Sequence, residues 1–469
     1  MAFQQGLSGL NSASKALDAT SNNIANSSTV GYKSSSTHFG DVYASSLAGG
    51  GANQVGIGVN VAAIHQQFTQ GNITSTNNPL DISINGAGFF RMDTNGAPTY
   101  SRNGQFHLDK NGYIVNDQGL KLTGYAAKSG IVVPSTPTPI QISASDLAPI
   151  ATGAPNAGAF SGVKSNLNFD SRSATKDPVT VGAAATAAYY AAQVPPVTAL
   201  TASPAQVAAA ATAASTATAN LVAFDPTKPQ SYNYSTALSV YDTLGNPHTL
   251  TMFLVKTATP GTWNTHFTVD STAESFVTGS NVTNLVFGPS GSLTSPANGS
   301  MDLSIDLNAT MGALGSTNGA VSPLAFKVDF TGSTQFGSAF GTNRLEQNGY
   351  AAGHLVGLSA GTDGVIQGRY SNGQTFNQGQ IVLANFTNPN GLQSLGNNQW
   401  VETSVSGPAL VGAPNTSSLG TLTASTVEES NVDLTAELVN LITQQRNYQA
   451  NAQSIKTQDQ IMQTLVNLR

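Results

Sequence analysis

The side chains able to carry chemistry are few and scattered. Six histidines stand at positions 38, 65, 107, 248, 266 and 354, no two fewer than eighteen residues apart, so no HxxxH or similar ligand pair exists. Cysteine is absent, which removes disulfides, thiolate metal sites and thiol nucleophiles. Asp302 and Asp306, with Asp363 further on, could be imagined as paired carboxylates for hydrolysis. The alternation of Leu303, Ile305 and Leu307 with Asp302, Ser304 and Asp306 instead reads as a half-buried strand with a wet acidic face. Ser12-Ala-Ser-Lys15 matches the SxxK nucleophile pattern, but so does Ser161 to Lys164, and neither has the KTG or SDN elements that would complete it. Gly86-Ala-Gly88 lies between strands and reads as a tight bend, since no strand-to-helix turn or phosphate-binding loop accompanies it. The expectation is a protein with no catalytic residues, no cofactor and no metal.

The elements that would position such groups point elsewhere. Leu434, Leu441, Tyr448, Ile455 and Met462 recur at a seven-residue step, with Leu438, Ala452 and Val466 at intermediate positions, so the last forty residues form one long helix with an apolar stripe. Ser430 with Asp433 three residues on suggests a capping box at its start. Phe3, Leu10, Leu17 and Ile24 repeat at the same step near the beginning, and Leu7 fills the intermediate position. Two matching stripes at opposite ends predict that the terminal helices pair as a coiled coil. Five large residues on the C-terminal stripe represent about 8 to 15 kcal/mol of burial, which one helix pair satisfies only in part. Ile461, Leu465 and Leu468 add a second apolar face. The alternative is two ordinary amphipathic helices packed on a globular core.

Length and composition set the frame. The 469 residues suggest several domains, and only 9% of them are charged, about a third of the usual share. A net charge of −6 offers no basic stripe for nucleic acid and no polybasic patch for lipid. No apolar run is long enough to insert in a membrane, and the N-terminus lacks the features of a cleaved signal peptide. Taken bare, that fits a cytoplasmic protein; export without a cleaved signal fits the cysteine-free, sparingly charged composition at least as well.

Between the helices the chain reads as mainly β. Residues 1–30 and 426–469 make the terminal helical domain, and 31–78, with its Gly49-Gly50-Gly51 run, an extended linker holding one strand pair. Residues 79–143 alternate with period two, and Asn95-Gly96, Asn103-Gly104 and Asn111-Gly112 supply the positive φ angles of tight hairpins. After the Pro134 to Pro139 break, residues 144–349 form an inserted β domain, and 350–425 return to the first one. Residues 181–223 are an Ala/Thr tract broken by Pro195, Pro196 and Pro204, expected as an exposed excursion that is partly helical after Pro204. The fold class is thus multi-domain, mainly antiparallel β, nested between paired helical ends, and elongated.

Several of these stretches resemble a known family. Gly6-Leu-Ser-Gly-Leu10, then Asn22, Asn23, Ala25 and Asn26 leading to Gly31, Tyr32 and Lys33, look like the N-terminal signature of bacterial flagellar rod and hook axial proteins. Ser430-Asn-Val-Asp-Leu434, Gln445-Arg-Asn-Tyr-Gln449 and Thr457-Gln-Asp-Gln460 look like the matching C-terminal signature. Tyr100 to Phe106, Asn116 to Tyr125 and Gly379 to Phe386 resemble the shared β domain. The distal rod branch is shorter and lacks a large insertion, whereas Tyr241-Asp-Thr-Leu-Gly-Asn246 is similar to the outer domain of the hook-forming branch. The resemblance implies a homopolymer outside the cell, a flexible tube passing motor torque to the filament. It places the helices at the inner tube, the shared β domain in the middle and the insertion outside. It also implies type III export and distal rod, hook cap, hook–filament junction and export apparatus proteins as partners. The competing reading is a secreted β-rich adhesin or carbohydrate-binding module, suggested by low charge and Asn/Thr-rich strands.

Overall fold

The computed structural model describes residues 2–42, 56–128, 130–143, 146–155, 160–193, 196–199, 201–219, 221–279 and 283–467. The Gly49–Gly51 run, Pro195 and Leu468 lie outside the described residues, as do the side chains of Leu465 and Val466. Five α-helices occur among the described residues: α1 (Ala2–Ala25), α2 (Pro178–Ala191), α3 (Pro204–Thr218), α4 (Leu307–Ala313) and α5 (Leu434–Asn467). The chain divides into two compact units, one made of Met1–Ser145 with Leu355–Arg469 and the other of Asp146–His354.

In the first unit α1 runs until asparagines take over its last turn. The Asn26 amide donates to the Asn22 carbonyl at 2.9 Å, and Gly31 then turns the chain at φ +72°. Two strands follow, β1 (Ser35–Val42) and β2 (Gly58–Gln66), paired antiparallel from Ser35↔Gln66 to Val42↔Gly58 with a register shift at His38/Phe39. Beyond them both arms of the chain build one 14-stranded sheet system. Strand Thr375–Ile381 pairs with Lys121–Lys128, placing Gly379 opposite Ala126, and Thr421–Ala424 pairs with Ile82–Asn85 in a separate ladder. Ile82, Ile84, Phe90, Leu122, Ile381 and Leu422 are fully buried between these strands.

Turn chemistry accounts for two of the three expected hairpins. Asn95 at φ +53° and Gly96 at φ +93° close Phe89–Thr94 onto Ala97–Ser101. Gly112 at φ +81° closes His107–Leu108 onto Ile114–Val115. Asn103-Gly104 does not make a hairpin. Asn103 accepts from the Gln105 amide, and the Gly104 carbonyl accepts from the Ile82 amide at 2.9 Å, so this glycine serves a close backbone approach. A Cβ there would lie 1.7 Å from the Ile82 oxygen.

The cap of α5 also differs from expectation. Asp433, not Ser430, caps the helix, its carboxylate accepting from the Thr435 and Ala436 amides at 2.9 and 3.1 Å. The preceding residues are held out of the helix. Asn431 accepts from the Ser34 amide at 2.8 Å and donates to the Gln67 carbonyl at 2.7 Å.

The second unit contains a five-stranded and a six-stranded sheet. Phe169, Trp263 and Phe287 meet at its core with ring centroids 4.9 to 5.1 Å apart. In the Tyr241–Asn246 segment the Asp242 carboxylate accepts from the Leu244 and Asn246 amides at 2.8 Å, and Gly245 takes φ +84°. Asp306 is not on a strand's wet face. It caps α4 by accepting from the Ala309 amide at 3.1 Å, and Leu307 begins that helix, because the strand ends at Ile305. The Ala/Thr tract likewise holds more helix than expected. Asp177 caps α2 and a complete Ser203–Gln206 capping box opens α3, so helix forms on both sides of the proline break. The two helices pack with Gly182 facing Thr218 and Ala214, where a Cβ would make ordinary contact at 3.4 to 4.0 Å.

Candidate assembly surface and its buried joint

The terminal helices pair antiparallel, and their close contacts use small residues. A Cβ on Gly6 would come within 2.9 Å of the Ile455 side chain, and one on Gly9 within 2.8 Å of the Asn451 amide. Nearer the other end, the Asn23 amide reaches the Glu437 carboxylate at 3.3 Å. An adjoining face of α1 lies on β2 and the residues just before it: Ser8 accepts from the Val59 amide at 3.3 Å, and Gln5 donates to the Gly56 carbonyl at 2.6 Å. Ser12, Ala13, Ala16, Thr20 and Asn23 are buried there. Small side chains let the backbones approach, and that choice decides where the large ones go.

Of the large heptad residues, Ile455 meets Gly6 in the seam of this pair, but most of the others do not form it. Phe3 (51% exposed) and Leu7 on α1, with Leu434, Leu438, Tyr448 and Met462 (57%) on α5, face outward. Leu10, Leu17, Ile24, Leu441 and Ile455 are half-buried. Val439, Ile442 and Ile461 are exposed as well, so α5 carries apolar side chains around much of its circumference.

Below the helices a polar joint ties them to the β domain. Asn22 donates to the Tyr32 hydroxyl at 3.1 Å, and that hydroxyl donates to the Asn23 amide oxygen at 3.1 Å. The Asn23 side chain closes on residue 35 in both directions, accepting from its amide and donating to its carbonyl at 2.9 Å. Ala25 is exposed at the helix end, and Asn26 accepts from the Thr29 hydroxyl. Gly31 is buried against Asn103, whose backbone nitrogen would lie 2.6 Å from any Cβ at that position.

Lys33 reaches the centre of the joint. Its ammonium meets the Glu428 carboxylate at 2.6 Å and the Thr69 carbonyl at 2.7 Å, with both charged side chains 0% exposed. The other carboxylate oxygen of Glu428 meets Arg102 at 3.3 Å, and the first also accepts from the Gly71 amide at 2.9 Å. Arg102 donates further to the Gly86 carbonyl at 3.0 Å. Burial pushes the Lys33 ammonium below its ordinary pKa; Glu428 opposes that push and Arg102 adds to it. Burial likewise lowers Arg102, against Glu428. Burial raises the Tyr32 phenol, a Ser35 hydrogen bond opposes it and the Glu437 charge reinforces it.

Sequence reasoning carried Lys33, Arg102 and Asn431 only as members of signature stretches and missed Glu428. The available signal was scarcity: in a chain with so few charges, a glutamate just ahead of the helical stripe and an arginine between strands were worth pairing.

Four segments match flagellar families. They are a flagella basal body rod protein family (residues 3–33), the flagellar hook protein FlgE/F/G D1 domain (83–145), the flagellar basal body protein FlaE D2 domain (206–350) and the flagellar basal body rod FlgEFG protein C-terminal region (423–468). Across the whole length of both chains, the sequence is 41% identical to the flagellar hook protein FlgE of Escherichia coli K12. The chain belongs to the flagellar hook protein FlgE family. It is a structural component of the bacterial flagellum, and the adhesin reading is not favoured. The hook protein of Borreliella burgdorferi is 31% identical, covering 99% of this chain and 98% of its own. A crystal structure of Helicobacter pylori flagellar hook protein FlgE2 covers 76% of this chain and all of its own at 13% identity, with a TM-score of 0.48. The buried joint draws one charged residue from each of three matched segments: Lys33, Arg102 and Glu428.

Proposed function

We propose that copies of this hook-family chain polymerise into a flexible tube through their paired ends. Phe3, Leu7, Leu434, Leu438, Tyr448 and Met462 are the side chains that a neighbouring copy covers. Leu10, Leu17, Ile24, Leu441 and Ile455 complete the contact from the half-buried flank. The observation that carries this reading is the outward-facing apolar set on α1 and α5, in helices already paired through small residues. Covering such side chains is worth roughly 1.5 to 3 kcal/mol each when burial is complete, so several together are ample for a lattice contact. The signature residues Asn22, Asn23, Ala25, Asn26, Gly31, Tyr32 and Lys33 hold the helices in register with the β domain.

The working division is terminal helices (1–30 and 426–469) for assembly, connecting chain (31–78), a shared β domain (79–143 with 350–425) and an inserted domain (144–349) whose weakly charged surface permits sliding between neighbours. On this reading the polymer lies outside the cell, its subunits exported without a cleaved signal peptide, and it meets the distal rod, the hook cap, the hook–filament junction and the export apparatus. Negative-stain microscopy of Leu438→Glu with Met462→Glu tests it. The variant is expected to keep the wild-type circular dichroism spectrum and to form no tubes. Normal tubes from that variant would refute the assignment.

A further inference from the structure

The histidines that look isolated in sequence are not all isolated in the fold. His38 on β1 and His65 on β2 stand with ring centroids 5.0 Å apart and planes at 71°. The ladder explains why. Ser36 lies directly opposite His65, and His38, two residues on from Ser36, projects from the same face. The register shift beside His38 is a bulge, a feature that re-aims the neighbouring side chain. Accordingly the His38 Nε2 sits 3.2 Å from the Ser36 hydroxyl, turned toward the position that faces His65.

That spacing is within ordinary edge-to-face ring packing, and it is also close enough for the two rings to share a metal ion. An imidazole bound at its usual distance puts its ring centroid roughly 3.2 Å from the metal, so two rings on a tetrahedral ion have centroids roughly 5 Å apart. His38 is exposed and His65 half-buried, which leaves an ion free access. Neutral imidazoles favour borderline divalent ions, zinc, nickel and copper, over magnesium or calcium.

We propose that His38 and His65 form a chelating site for a divalent transition metal, with the Ser36 hydroxyl as a neighbouring oxygen donor. The bound ion would clip β1 to β2 beside the small-residue face of α1. None of its three residues belongs to the apolar set proposed for polymerisation.

Zinc titration of the full-length monomer, followed by competition with a chromophoric chelator, tests it. One equivalent is expected to bind, with affinity at least tenfold weaker in both His38→Ala and His65→Ala and unchanged in His107→Ala. Magnesium at the same concentration is expected not to compete. Equal affinity in wild type and either of the first two variants would overturn the proposal, as would a loss confined to His107→Ala or the absence of zinc uptake by the wild type.

Discussion

Replacing Glu428 by alanine isolates the energetics of the buried joint. The substitution removes the partner of the Lys33 ammonium at 2.6 Å and of the Arg102 guanidinium at 3.3 Å, and it strips the Gly71 amide of its acceptor. Both cations stay where burial put them, with 0% and 3% of their side chains exposed. Removing one member of a buried ion cluster costs about 3 to 5 kcal/mol, mostly the penalty of the charges left behind. Against a typical domain stability of roughly 5 to 15 kcal/mol, that is a large fraction. The two tryptophans make the measurement local, since Trp400 is buried in the first unit and Trp263 in the second. In guanidinium titrations of Trp263→Phe and Trp400→Phe backgrounds, Glu428→Ala should lower the transition reported by Trp400 and leave that reported by Trp263 unchanged. Lys33→Met with Arg102→Met and Glu428→Leu should regain most of the loss, because replacing a whole buried charge cluster by apolar groups is close to neutral or better. A loss under about 1 kcal/mol in the Trp400 transition, or a triple variant as unstable as the single one, would refute the reasoning.

Asp433→Ala should cost about 1 kcal/mol of helix stability, and Ser430→Ala much less, because only Asp433 caps α5; amide exchange in the first turn of that helix separates the two. Gly6→Val should open the α1–α5 seam where it meets Ile455, costing about 1 to 3 kcal/mol, read as faster exchange along α1 with the β domain unaffected. Burial, with the Glu402 charge, pushes the Tyr100 phenol up to about 12. Its contribution to stability is thus complete below its unfolded value near 10 and lost as pH rises through about 12. Tyr100→Phe should therefore flatten the alkaline fall in stability over that window by up to about 2.7 kcal/mol, measured as the difference between the two proteins' denaturation midpoints.

Much of the architecture was legible because it rests on period and turn chemistry. The seven-residue stripes announce both terminal helices, and Asn95-Gly96 announces a hairpin because two adjacent positive φ angles leave few alternatives. The errors came where tertiary contacts overrode local pattern. Asn103-Gly104 carries the same dipeptide, yet its glycine is required by the passing Ile82 backbone. Ser430 has the right spacing for a cap, yet Asn431 is tied to residues 34 and 67 and keeps the helix from starting there. The heptads located the pairing helices and one seam residue, Ile455, but not the small-residue face it meets, since Gly6 and Gly9, which permit the closest approach, carry no hydrophobic signal. The ion cluster was harder to read for a simpler reason: its members lie far apart in the chain, and only the scarcity of charge hinted that they pair.

The ladder joining Ile82–Asn85 to Thr421–Ala424 has a kinetic corollary. These partners are separated by most of the polypeptide, so closing them waits on the slowest kind of encounter a chain can make. An emerging N-terminal portion, whatever its length, lacks the strand that caps Ile84 and the carboxylate that neutralises Lys33 until residues 421–428 have been delivered. The ladder over Ile84 and the partner of Lys33 are therefore among the last contacts the chain can complete.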